Sequence, residues 1–205
     1  MKHFALILLT ILFFSCLEED KVDYGYGEYY VEMATSLDQK TFLLDCGKTV
    51  YSEKEIAGLG EGERVIFNFS YLNKETNEVT IRNIKRVFLG SLQFVETDKI
   101  QEYENIPIRL ESIWLSSHFL NVRFYMEYYS EAHIVSLYAD QSEINNNEIH
   151  LYFLHNKNDD FPGYWSLSEV SFDLQKELGN PQGEKTLIVH VVSENYGEKE
   201  YRFSY

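Results

Sequence analysis

Apolar and polar residues alternate with a period of two from Tyr29 to the end of the chain, and helical periodicity is nearly absent. Successive side chains of a strand point to opposite faces, so this pattern predicts half-buried β-strands. Tyr29, Val31 and Met33 share one predicted face, and Val65, Phe67, Phe69 and Tyr71 share another, with Ile66, Asn68 and Ser70 opposite. The cleanest alternation sets Leu120, Val122, Phe124, Met126 and Tyr128 against Asn121, Arg123, Tyr125 and Glu127. Segments 133–138, 149–154, 170–174, 187–192 and 201–205 behave alike. Turn signals separate the runs: Asp45-Cys46-Gly47, the glycines at 58, 60 and 62, and the Asn-rich stretches at 73–77, 145–147 and 180–183. One short helix is predicted, because Ser52 and Glu55 have capping-box spacing and Gly58 stops it within about two turns. The polar stretch 101–105 lies between two strand-rich blocks and marks the expected domain boundary. Residues 27–100 then form a small barrel of roughly five strands, and residues 106–205 a two-sheet β-sandwich of roughly seven. The expected fold class is all-β.

The N-terminus breaks the pattern. Residues 4–14 are apolar apart from Thr10, and the run ends at Ser15-Cys16 followed by Leu17, Glu18, Glu19 and Asp20. A membrane span wants about 18 or more apolar residues, and this run is only about a dozen long. Residues 1–15 therefore read as a cleaved secretory signal peptide. The segment is similar to a bacterial lipoprotein signal, in which the cysteine becomes the lipidated N-terminus, although Phe14 is bulkier than the small residue usual there. Cys16 is the expected lipid anchor and residues 16–26 an acidic tether. Glu18, Glu19 and Asp20 resemble the acidic patch that Bacteroidota lipoproteins use for export, which implies an outer-membrane location facing the cell exterior. The same three acids also suit a merely solvated tether.

Composition narrows the partners. With 44% hydrophobic and 16% aromatic residues and only 3 prolines, the chain is an ordered globular protein. Net charge is −15, and −16 without residues 1–15, which hold Lys2 as their one Lys or Arg. Nucleic acid is excluded as an expected partner, because a phosphate-binding face needs clustered Lys or Arg. An acidic surface also repels anionic lipid heads, so membrane attachment rests on the covalent anchor. With Cys16 lipidated, Cys46 has no intramolecular disulfide partner and reads as a partly buried thiol at a strand end.

The order of motifs resembles the NigD-like lipoproteins of Bacteroidota. Gly27-Glu28-Tyr29-Tyr30-Val31 follows the acidic tether, then Gly62-Glu63-Arg64-Val65-Ile66-Phe67-Asn68-Phe69 and Val79-Thr80-Ile81-Arg82-Asn83-Ile84. The second half continues with Phe119-Leu120-Asn121-Val122-Arg123-Phe124, Leu151-Tyr152-Phe153-Leu154-His155-Asn156, Asp160-Phe161-Pro162 and Val170-Ser171-Phe172-Asp173-Leu174. The resemblance implies an N-terminal OB-like barrel and a C-terminal β-sandwich. It carries over no catalytic residues, and the family's link to a bacteriocin locus is its one functional hint. An OB-like fold does not imply oligonucleotide binding.

Candidate chemistry is sparse. There is no Gly-x-Ser-x-Gly, His-Glu-x-x-His or phosphate-loop motif, and Gly58, Gly60 and Gly62 lead into a strand rather than a helix. Of six histidines none has ligand spacing: His150 and His155 fall on opposite faces of one strand, and His190 packs in or near a sheet face. The best candidate ligand loop runs from residue 155 to 165. There His155, Asn156, Asn158, Asp159 and Asp160 bring polar groups, and Phe161, Tyr164 and Trp165 bring aromatic platforms. The oxygens suit a hard cation, but not at EF-hand spacing, so no metal and no cofactor is expected. The aromatics suit a sugar or peptide, and turn chemistry with core-plugging rings accounts for the same residues. The expected function is a non-enzymatic, lipid-anchored envelope protein that binds another surface component or a secreted protein. The alternative is a carbohydrate-binding accessory of a surface glycan-uptake system. An enzyme would require a cleft with converging carboxylates or a pair of histidines.

Overall fold

The computed structural model describes residues 28–144, 146–179 and 185–205. The signal peptide, the tether with Cys16, Glu18, Glu19 and Asp20, Asn145 and the turn at 180–183 lie outside the described residues.

The first five strands are β1 (Tyr30–Ser36), β2 (Thr41–Leu44), β3 (Thr49–Ser52), β4 (Arg64–Asn73) and β5 (Glu78–Arg86). They close in the order β1-β2-β3-β5-β4 into an OB-like barrel. Its core holds Phe42, Val50, Val65, Phe67, Phe69 and Val79, the inward half of each alternation. In β1 the expected face is shifted: Ala34 enters the barrel core, Val31 is exposed, and Met33 faces the second domain, where its Sδ meets Ser171 Oγ at 3.6 Å. The capping box at Ser52 makes no helix. Ser52 ends β3, and its hydroxyl bonds the Lys54 carbonyl at 2.7 Å and the Lys54 amide at 3.3 Å, so the chain turns instead.

The remaining strands are β6 (Phe88–Val95), β7 (Arg109–Ser116), β8 (Phe119–Tyr128), β9 (Ile134–Asp140), β10 (Glu148–Asn156), β11 (Tyr164–Asp173), β12 (Thr186–Ser193) and β13 (Gly197–Ser204). They form one sheet in the order β13-β12-β10-β9-β6-β11-β8-β7. The sheet folds over at β6, whose first half pairs with Val170–Asp173 of β11 and whose second half pairs with Leu137–Asp140 of β9. A strand that changes sheets makes the corner of a β-sandwich. The core between the two layers includes Leu120, Val122, Phe124, Leu151, Phe153 and Phe172. A Cβ on Gly90 would lie 2.5 Å from the Phe172 ring, so glycine at the corner lets that ring pack. An isolated bridge between Ile108 and Ser193 draws the two ends of the sheet together.

The place of β6 differs from expectation. Residues 27–100 were expected to form the barrel, yet β5 ends at Arg86 and β6 already belongs to the sandwich. Periodicity identifies a strand but not the sheet that recruits it. The stretch 101–105 follows a four-residue helix, α1 (Thr97–Ile100), and lies against the sandwich, where Tyr103 stacks on Tyr138 at 5.0 Å.

A network built on a barrel ion pair joins the domains. Arg64, 2% exposed at the start of β4, meets Asp45 of the β2–β3 turn with Nη1 to Oδ1 at 2.7 Å and Nη2 to Oδ2 at 3.0 Å. The guanidinium also donates to Thr35, to Ser171 Oγ of β11 at 3.2 Å and to Asn121 Oδ1 of β8 at 2.9 Å, and it lies 4.5 Å over the Phe119 ring. Asp45 Oδ2 accepts the Trp114 indole N–H of β7 at 2.8 Å. Low dielectric makes each partner costly to strand. Arg64→Met should therefore destabilise the protein by about 3 kcal/mol or more, read as a fall in the urea midpoint. Asp45→Asn, which keeps an acceptor for Trp114, should cost less.

Candidate functional site

The candidate loop is shorter and more ordered than its sequence suggests. His155 and Asn156 end β10, while Tyr164 and Trp165 open β11, which leaves 157–163 as the loop proper. Asn158 and Asp159 adopt positive φ of 52° and 62°. The Asn156 side chain accepts the Asn158 amide at 2.6 Å, and Asn158 Nδ2 reaches the Ala132 carbonyl at 3.4 Å. A Cβ on Gly163 would fall 2.1 Å from the Tyr128 carbonyl oxygen, so only glycine lets the loop return this close to β8.

Asp160 is the hub. It is 2% exposed, and its oxygens accept the backbone amides of Tyr129 at 2.7 Å, Ser130 at 3.1 Å, Glu131 at 3.2 Å and Phe161 at 3.0 Å. His133 Nε2 lies 3.2 Å from Asp160 Oδ2, and its Nδ1 lies 2.8 Å from His155 Nε2. His155 Nδ1 in turn faces the Ile106 carbonyl at 3.1 Å. This chain begins at a carboxylate and ends at a carbonyl, both acceptors. Two neutral rings carry two protons, enough for the contacts to Asp160 and to the Ile106 carbonyl, one from each ring.

Burial pushes the Asp160 carboxyl up, but the amides of Tyr129, Ser130 and Glu131 with the His133 ring outweigh it and hold it well below the usual carboxylate range. Burial lowers the pKa of His155, and neighbouring His133 lowers it further, against the opposing hydrogen bond to Ile106. The hydrogen-bonding capacity of Asp160 and His155 is thus spent inside the protein, which fixes the loop to the 129–131 turn. Among the described residues no group of three or more His, Cys, Asp or Glu is placed to hold a metal ion.

The aromatic members of the loop divide. Phe161 is 72% exposed and Tyr164 62%, and Tyr129 on the adjoining turn is 61% exposed. These rings plug no core. Trp165 is half-buried and its face is covered by the Arg109 guanidinium 4.0 Å from the ring centroid. Beneath the loop lies a small cavity of about 120 Å³, lined by Ile106, Glu127, His133, His155, Lys157 and Trp165 among others.

Sequence reasoning missed His133, whose pairing with His155 depends on the β9–β10 register, and it missed a second histidine pair. His150 Nδ1 and His190 Nε2 lie 2.8 Å apart because β10 and β12 run parallel side by side. His190 also stacks on Tyr152 at 4.6 Å, in keeping with its expected place on a sheet face. Cys46 is exposed in the β2–β3 turn rather than partly buried.

Comparison with known proteins places this geometry among relatives. The profile of the NigD-like C-terminal β-sandwich domain matches residues 91–205. A NigD-like immunity protein from Bacteroides caccae has 18% identity and a TM-score of 0.65, with 89% of this chain and 98% of that chain covered. A protein from Parabacteroides distasonis has 19% identity and a TM-score of 0.72, with 87% and 93% covered. A Bacteroides fragilis protein described as a candidate lipoprotein has 9% identity and a TM-score of 0.59, with 87% and 96% covered. At these identities the likeness is one of fold. No match was found among curated proteins.

The histidine–aspartate chain gives the pH response a sign. Folding lowers the His155 pKa from its ordinary 6.5, so on acidification the unfolded chain takes up this proton first. His155's contribution to stability is complete above 6.5 and declines as pH falls below it, whereas that of Asp160, present above its ordinary 3.8, is lost only in strong acid. The melting temperature should fall between pH 7 and pH 5, less steeply in His155→Gln. Asp160→Asn should lower it already at pH 7, because an amide group would face donors.

Proposed function

Given that the chain belongs to the NigD-like family, we propose that it is a non-enzymatic, lipid-anchored envelope protein that binds a partner protein through the tip of its sandwich. The observation that carries this reading is the set of exposed rings, Tyr129, Phe161 and Tyr164, on the loop, its adjoining turn and the start of β11, with Asp160 tying loop to turn. Exposed aromatic residues on a preorganised support are favoured recognition groups, because little side-chain freedom is lost on binding. The partner is a secreted or surface protein; the likeness to a solved protein named as a NigD-like immunity protein supports a secreted antagonist as one such partner.

A catalytic role fits less well, although a histidine pair is present. His133 and His155 are tied at every ring nitrogen, and the cavity beside them is too small for most substrates, at about 120 Å³ against the ~300–1,000 Å³ of ligand pockets. Among the described residues no Ser, Thr, Cys or Tyr lines it as a nucleophile. Carbohydrate binding remains the second reading, favoured by the exposure of Phe161 and Tyr164. Glycan-array binding that depends on Tyr164 would support it.

The lipid anchor and the outward-facing position rest on the Cys16 junction and the Glu18-Glu19-Asp20 run. The described likeness to a candidate lipoprotein is consistent with an envelope location. Cys16→Ser should abolish metabolic acyl labelling and release the protein from the membrane fraction. Protease treatment of intact cells should degrade the wild type, and protection would remove the surface assignment.

Partner capture by cross-linking on intact cells tests the binding reading. Phe161→Ser and Tyr164→Ser should abolish capture while changing stability by no more than about 0.5 kcal/mol, as exposed substitutions do. Capture unchanged by both would sink the loop as the recognition surface.

A further inference from the structure

A second cleft lies away from the loop, on the outer face of the sandwich. The register sets Tyr138 of β9 beside Tyr152 of β10, Tyr152 beside His190 of β12, and His190 beside Glu200 of β13, one row across four strands. Segment 100–105 crosses over this face, pinned where Tyr103 stacks on Tyr138 and where Asn105 Oδ1 accepts the His155 amide at 3.1 Å. Between the segment and the row is a cavity of about 250 Å³ lined by Gln101, Tyr103, Asn105, Tyr152, His190 and Glu198, with Leu154 and Val192 as its apolar part.

Its chemistry is one-sided. Among the described residues no Lys or Arg lines it, and Glu198 is its one carboxylate. Neighbouring Lys199 is turned toward Tyr196, 5.2 Å from that ring, and Arg202 pairs with Glu148 and Glu200. Glu198 is thus left without an ion pair among the described residues. Burial raises the Tyr152 pKa, and the carboxylates of Glu143, Asp140 and Glu200 raise it further, so the phenol sits in a negative field. Burial lowers the His190 pKa, with His150 adding to the effect, which keeps positive charge out of the site at neutral pH. A volume below the ~300 Å³ at which small-molecule pockets begin suits one inserted side chain rather than a whole cofactor.

We propose that this cleft binds a cationic side chain, arginine or lysine, of a partner polypeptide, with the Tyr103 and Tyr152 rings and the Glu198 carboxylate around the charge. Aromatic rings beside a carboxylate attract a cation both through the ring quadrupole and through direct charge. The excess of 33 acidic over 18 basic residues would draw such a partner in before the cleft fixes it. This assignment rests on the reading of the chain as an interaction protein, but it uses a surface distinct from the Phe161 loop.

The test is titration of the protein, from Glu18 onward, with hexa-arginine and hexa-glutamate peptides at physiological salt, followed by side-chain resonances and by calorimetry. Hexa-arginine should shift Tyr103, Tyr152 and His190, and hexa-glutamate should not. Glu198→Gln, an exposed position, and Tyr103→Ala should each weaken hexa-arginine binding about tenfold, with Glu75→Gln on the barrel as an unchanged control. Equal losses in Glu75→Gln and Glu198→Gln, or shifts absent from Tyr152 and His190, would overturn the assignment as diffuse attraction to an acidic surface. The two readings fail separately. Hexa-arginine binding that survives Phe161→Ser while cellular capture is lost concerns the loop alone, and capture that survives Glu198→Gln concerns the cleft alone.

Discussion

Arg64 is a buried charge that this architecture cannot leave unpaired. It stands at the first position of β4, 2% exposed, between a barrel and a sandwich. Its donors reach Asp45 and Thr35 on the barrel side and Asn121 and Ser171 on the sandwich side. Desolvation of a guanidinium is tolerable only when geometry is good and the remaining donors are satisfied. The network therefore constrains orientation: the bonds of Arg64 to Asn121 and Ser171 and of Trp114 to Asp45 form together in one docking of the domains. A second link, Lys85 to Glu169 at 2.7 Å, and Val87 as the one residue between β5 and β6, act on the same seam.

The seam governs the far end of the molecule. Strands β8 and β11 pair along their whole length, from Phe119 and Asp173 near the seam to Tyr128 and Tyr164 at the loop. Asn121 and Ser171 anchor one end, and about seven residues further on, roughly 23 Å at strand rise, the same two strands carry the exposed rings. There a second buried charge repeats the logic on a smaller scale. Asp160 is held by amides and by His133, so the loop has one conformation in which its carboxylate is satisfied. Two carboxylates, the partly buried Asp45 and the buried Asp160, thus stabilise the domain junction and the recognition tip.

Legibility from the sequence followed the period-two pattern. The faces of β4, β8, β10 and β12 were readable because burial selects alternate residues, and the all-β class with a barrel and a sandwich follows from that. The misreadings share a cause. Asn121 and Ser171 are polar members of an alternating strand, a solvent-facing signature, yet both are fully buried under the barrel. Met33 was assigned to a barrel face and instead meets Ser171. Asp160, within a run of oxygen-bearing residues that suits a cation, is spent on backbone amides. In each case local chemistry was read correctly and the neighbour was unknown.

The sequence by itself determined the strand inventory, the acidic balance, the turn residues and the Cys16 junction, because each depends on residues close along the chain. Tertiary structure alone decided that β6 turns the corner of the sandwich, that His133 meets His155 and His150 meets His190, that Phe161 and Tyr164 face solvent while Trp165 lies under Arg109, and that a cleft lined, among the described residues, by no lysine or arginine opens beneath Tyr103. These depend on register and docking between segments tens of residues apart. A one-residue slip of any strand would send its side chains to the other face, and no local pattern records which slip the fold excludes.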